Sequence, residues 1–95
     1  MRLISGPQVA ETLALKALAF LASSGETLER FLALTGIAPE DLRAHAGEAE
    51  VLAAVLDFLL ASDELLTQFA AQEEIAPLDV HAARRFLPGG IGNSG

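Results

Sequence analysis

The chain has 95 residues, a formal net charge of −7 and no cysteine. That length suits one domain with a single core, burying roughly 60–65 % of the surface that its unfolded form exposes. The missing thiols exclude disulfides, cysteine-ligated zinc and thiol catalysis, and six basic against thirteen acidic residues is the wrong balance for neutralising the phosphates of nucleic acid or anionic lipid.

Apolar residues make up 52 % of the chain and are mostly Leu and Ala, with no Tyr or Trp, a mix that favours helices over strands. The first start signal is Ile4-Ser5-Gly6-Pro7-Gln8-Val9. It predicts Ser5 as N-cap, Gln8 reaching back to it, Ile4 stapled on Val9, and Pro7 in the first turn where no backbone donor is missed. This helix is expected to run to about Ser23. Ser24 then caps a second helix that Gly36 stops, and Pro39 opens a third that Gly47 stops. A long fourth helix is expected over Glu48 to Ala61, a fifth capped by Ser62, and a sixth opened by Pro77. From Pro88 onward the chain reads as a flexible Gly-rich tail, residues 88–95. Lys16 interrupts the first greasy stretch and Asp57 the second, so neither reaches the roughly 20 apolar residues that span a bilayer. With no signal core at the N-terminus, a soluble cytoplasmic protein is expected.

The signals recur at a displacement of 38 residues. Between Leu18–Ala44 and Leu56–Ala82, 13 of 27 positions are identical without a gap, including Phe20 with Phe58, Phe31 with Phe69, and Ile37-Ala38-Pro39 with Ile75-Ala76-Pro77. We read a tandem duplication. Two copies are too few for an open solenoid, so the expected fold is all-α: one compact six-helix domain over residues 1–87, made of three-helix repeats at about 7–47 and 48–87 in a pseudo-twofold arrangement. The two long helices should be wrapped on all sides, and the matched Phe and Leu positions should be core. Asp41 and Asp79 sit where a carboxylate accepts from free backbone donors at a helix start.

Differences between the copies are the better place to look for function, because the fold alone does not require them. Gly36 becomes Glu74, Glu40 becomes Leu78, Arg43 becomes His81, Ala46 becomes Arg84 and Gly47 becomes Arg85. Leu60 and Leu65 replace Ala22 and Thr27 and read as surplus apolar surface. The candidate partner-binding residues are therefore Leu60, Leu65, Glu74, Leu78, His81, Arg84 and Arg85.

Chemical motifs fare poorly. Gly90-Ile91-Gly92-Asn93-Ser94-Gly95 matches a dinucleotide fingerprint in letters, but that motif needs a strand before it and a helix after it. His45 and His81 are the sole histidines, and neither has a second histidine at three or four residues to share a metal; His45 with Glu48 or Glu50 is a weak pair. Nothing resembles a nucleophile elbow, and adjacent Glu73 and Glu74 would point apart on a helix. No catalytic residue, cofactor or metal site is expected. The fifth and sixth helices match the spacing of a helix-turn-helix, with His81, Arg84 and Arg85 on the second of them. Acidic residues at both helix starts, Leu78 in place of a polar reader, and the net charge make DNA binding the alternative rather than the main reading.

The segments LERFLALTGIAPEDLRAHAG, VLAAVLDFLLASDELLTQFA and ARRFLPGG resemble a small bacterial family catalogued as domain of unknown function 3572. The resemblance implies a cytoplasmic proteobacterial protein of about this length, with no activity, cofactor or catalytic residue to carry over. Together these readings predict a non-enzymatic helical protein acting through protein–protein contact, as an adaptor, a regulator or a self-associating module. Its partner is then another protein or a second copy of the chain, not nucleic acid or membrane.

Overall fold

The computed structural model describes residues 6–88. It is all-α, with α1 (Pro7–Ala22), α2 (Gly25–Thr35), α3 (Pro39–His45), α4 (Ala49–Leu60), α5 (Asp63–Glu73) and α6 (Pro77–Arg84). The radius of gyration is 12.5 Å, as expected of a single compact domain of this size. Among the described residues no helix is long and apolar enough to cross a membrane.

The local signals explain most of these boundaries. The hydroxyl oxygens of Ser24 and Ser62 accept from the backbone N–H of Thr27 and Leu65, each at 3.3 Å, so both helices open with a satisfied donor. Pro39 and Pro77 occupy the first turns of α3 and α6, and the Ala76 N–H donates to Asp79 Oδ2 at 3.0 Å. Asp41 makes no equivalent bond among the described residues. Gly36 ends α2 at φ 75, where its N–H donates to the Leu32 carbonyl. Glu74 ends α5 in the same left-handed region, at φ 59. The N-terminal cap differs from expectation: α1 starts at Pro7 with Gly6 in the cap position. Ser5 and Ile4, to which the cap and staple were assigned, lie outside the described residues, as do residues 89–95 of the tail and its glycine fingerprint.

α4 is the centre of the molecule. It buries Leu52, Ala53, Val55, Leu56 and Leu59 and packs against α1, α2, α5 and α6. α1 is buried on one side only, through Ala10, Leu13, Ala14, Ala17 and Leu21, and leaves Leu15 and Lys16 exposed. α4 is covered on more sides than α1, but Glu50 and Asp57 remain exposed, so neither helix is wrapped all round. Small residues on the inner side of α1 let α4 and α6 approach closely. Phe31, Phe69, Leu21 and Leu59, matched pairs in the 38-residue register, are all fully buried, each contributing roughly 1.5–3 kcal/mol by leaving water. Leu18, Phe20, Leu28 and Phe58 are half-buried against that core.

Helix starts and caps keep the register: α2 and α5 have eleven residues each, and Ser24, Gly36 and Pro39 correspond to Ser62, Glu74 and Pro77. Packing keeps it only in part. α1 rests on α2 as α4 rests on α5, whereas α6 packs against α1, α4 and α5, and α3 contacts no other helix to that extent.

Candidate functional site

The unequal docking of α3 and α6 follows from their inner faces. α6 presents Val80 and Ala83, both fully buried, and the chain continues to buried Leu87. Arg84 then ties α6 to α4. Its Nε donates to Asp57 Oδ1 at 2.6 Å, its Nη2 to Asp57 Oδ2 at 3.2 Å, and its Nη1 to the Leu87 carbonyl at 3.0 Å. The Arg84 side chain is only 12 % exposed, so its stem covers apolar surface while its fork grips the carboxylate. In the first half the corresponding positions are occupied by residues that cannot do this. Ala46 stands for Arg84 and Ala19 for Asp57, which removes the clamp, and His45 stands for Ala83. His45 points outward, with Nδ1 2.7 Å from Glu48 Oε2 and both side chains exposed. Leu42 is the one buried residue of α3.

α3 therefore stands off from α1 and α2, and the space between them is an open apolar groove of about 240 Å³. Leu18 and Ala22 line it from α1, Leu28 and Leu32 from α2, and Pro39, Leu42, Arg43 and Ala46 from the α3 side. Leu18, Leu28 and Leu32 are half-exposed. Their counterparts Leu56, Leu66 and Ala70 are buried, so the same surface is closed in the second half and open in the first. Arg43 is the charged residue of the lining, and no carboxylate among the described residues lies within ion-pair distance of it.

The residues singled out from the sequence lie elsewhere, in the second half. Leu60 and Leu65 are half-buried and pack against the core, as Leu18, Leu28 and Leu32 also do. Arg84 is the structural clamp. Glu74 is exposed at the end of α5, where it holds the left-handed cap. Leu78, His81 and Arg85 share the outer stripe of α6, with Leu78 76 % exposed. Leu18, Leu28 and Pro39 of the groove's lining are the same in both halves and read as scaffold, whereas Ala22, Arg43 and Ala46 differ between the halves and drew attention to Leu60, His81 and Arg84 instead. A signal was present in Ala46 and Ala19, the unclamped counterparts of Arg84 and Asp57.

A second cleft, of about 430 Å³, lies between the C-terminal ends of α1 and α5 and is lined by Lys16, Ala19, Phe20, Ser23, Gln72 and Glu73. Its charges are matched: Lys16 Nζ is 3.6 Å from Glu73 Oε1. Among the described residues every fully buried side chain is apolar, and no three of His, Cys, Asp or Glu converge where they could hold a metal ion.

A family model described as a protein of unknown function (DUF3572) matches residues 7–90. No curated protein and no solved structure matches the chain.

Proposed function

Because the chain belongs to the DUF3572 family, whose description assigns no activity, we propose from its own geometry that it is a non-enzymatic cytoplasmic protein that works by binding another protein. The contact surface is the groove between α1, α2 and α3. One observation carries this reading: Leu18, Leu28 and Leu32 are left half-exposed around a cavity whose counterpart in the other half is filled. Apolar concavities with few polar groups are where proteins seat the anchor side chains of their partners. A duplicated ancestor in which one half closed its groove and the other kept it open accounts for the 38-residue register and for the loss of clamp residues at Ala19 and Ala46.

Protein is favoured over DNA as the partner because Arg84, one of the three cationic positions on the α6 segment, is turned inward onto Asp57. That leaves His81 and Arg85 beside the apolar Leu78, with acids at the start of α5 and α6. A DNA-binding role would instead show as a mobility shift that weakens steeply with salt and disappears in Arg85→Ala.

The test is capture of a partner by tagged protein with two matched surface variants. Leu32→Lys puts a charge in the groove, and Leu34→Lys puts one on the outer side of α2, where Leu34 is already 72 % exposed. A stoichiometric partner kept by Leu34→Lys and lost by Leu32→Lys is the expected result. A partner that both variants keep would place the contact elsewhere.

A further inference from the structure

We infer that the groove's occupant is an amphipathic helix of a foreign protein that carries an apolar i, i+3, i+7 stripe with a carboxylate beside it, the carboxylate pairing with Arg43. This rests on the contact reading above and specifies the partner. Three observations on the molecule lead to it.

The first is the spacing of the walls. Leu18 and Ala22 are one turn apart on α1, Leu28 and Leu32 one turn apart on α2, and Pro39, Leu42 and Ala46 stand one above another on the α3 side. Rows of side chains at turn spacing are the grooves into which the ridge of another helix fits. The second is size. A cavity of about 240 Å³ holds one or two large aliphatic side chains, the size of the central anchor of a helix-in-groove complex.

The third is charge. Lys16 is paired with Glu73 and Arg84 with Asp57, whereas Arg30, Arg43 and Arg85 have no acid within ion-pair distance among the described residues, and of these three Arg43 lines the groove. A carboxylate is the group that satisfies a guanidinium with two matched acceptors. A second copy of this chain fits less well. Leu78, the most exposed of its described large apolar residues, shares the outer side of α6 with His81 and Arg85, which would bring cations to Arg43, and two chains of net charge −7 repel each other.

The probe is a fluorescein-labelled fifteen-residue model helix with Leu at i, i+3 and i+7 and Glu at i+4, compared with otherwise identical peptides bearing Gln or Lys at i+4. Anisotropy titrations would use the full chain, its Arg43→Gln variant and its Leu32→Lys variant, with circular dichroism to check that each is folded. The Glu peptide should bind about three- to fivefold more tightly than the Gln peptide, the advantage should vanish in Arg43→Gln and shrink with salt, and Leu32→Lys should abolish binding of all three. Equal affinities for Glu and Gln, or tightest binding of the Lys peptide, would overturn the acidic-partner assignment while leaving the groove as a contact site. Binding undiminished in Leu32→Lys would overturn the site itself. Self-association of the wild-type chain in sedimentation, removed by Leu32→Lys, would replace the foreign helix with a second copy.

Discussion

Phe20 on α1 and Phe69 on α5 pack with ring centroids 5.4 Å apart and planes tilted by 56°. The 38-residue displacement converts this pair into Phe58 on α4 and Phe31 on α2, whose centroids are also 5.4 Å apart, at 79°. Each long helix thus sends its Phe across to the second helix of the opposite half, which locks the halves together through two exchanged contacts. Tilted and edge-on aromatic pairs add about 0.5–1.5 kcal/mol beyond area burial. Double-mutant cycles with Leu at Phe20 and Phe69, and separately at Phe31 and Phe58, should each give a coupling energy of that size in urea unfolding. Coupling in one pair and none in the other would mean that the halves are not held reciprocally.

The two left-handed caps make opposite predictions. Gly36 adopts φ 75, and a Cβ added there would meet nothing within 4 Å, so Gly36→Ala tests backbone strain without a steric clash. Glu74 already bears that strain at φ 59; an L-residue in this region costs roughly 1–2 kcal/mol. Glu74→Gly should therefore raise stability by about 0.5–1 kcal/mol, and Gly36→Ala should lower it by about 1 kcal/mol, both read as shifts of the urea midpoint at constant slope.

The helices were legible in the sequence because their stop and start signals are local. Ser24, Ser62, Pro39, Pro77 and Gly36 each act within four residues of themselves, and each takes its expected place. Which helix would dock was not legible in the same way. Arg84 read as a surface cation because its partner, Asp57, lies 27 residues away and nothing local to Arg84 announces it. The groove is harder still, since it arises from pairs that are missing, Ala19 with Ala46 and His45 in place of Ala83. An absent contact becomes visible only beside the half that has it.

The Arg84–Asp57 clamp should be measurable. Arg84 is 12 % exposed and Asp57 58 %, so the pair is partly screened, and the expected coupling lies near the upper end of the surface range, about 1 kcal/mol. Arg84→Ala should cost more than Arg84→Met, because Met retains the apolar stem that covers the α6 end. Urea unfolding of both variants and of Asp57→Asn would separate the charge from the packing. A loss in Arg84→Met as large as in Arg84→Ala would assign the whole effect to the ion pair.

If the missing clamp is why the groove is open, restoring it should close the groove. Ala19→Asp with Ala46→Arg places in the first half the two residues that hold α6 in the second, and neither site is deeply buried: Ala19 is exposed and Ala46 half-exposed. In the unmodified chain α3 has one buried residue, Leu42, and no extensive helix contact, so its amides should exchange with solvent well ahead of those of α6. In the double variant α3 should gain protection while α6 stays unchanged, and binding through the groove should fall because the space between α3 and the α1–α2 pair is filled from within. Either substitution alone should give neither effect, since one charge without its partner forms no clamp. If protection in α3 rises and binding persists, the groove is not the contact surface. If α3 gains no protection, the cause of its loose docking is His45 in the place of Ala83, and His45→Ala is the variant that should then bring it in.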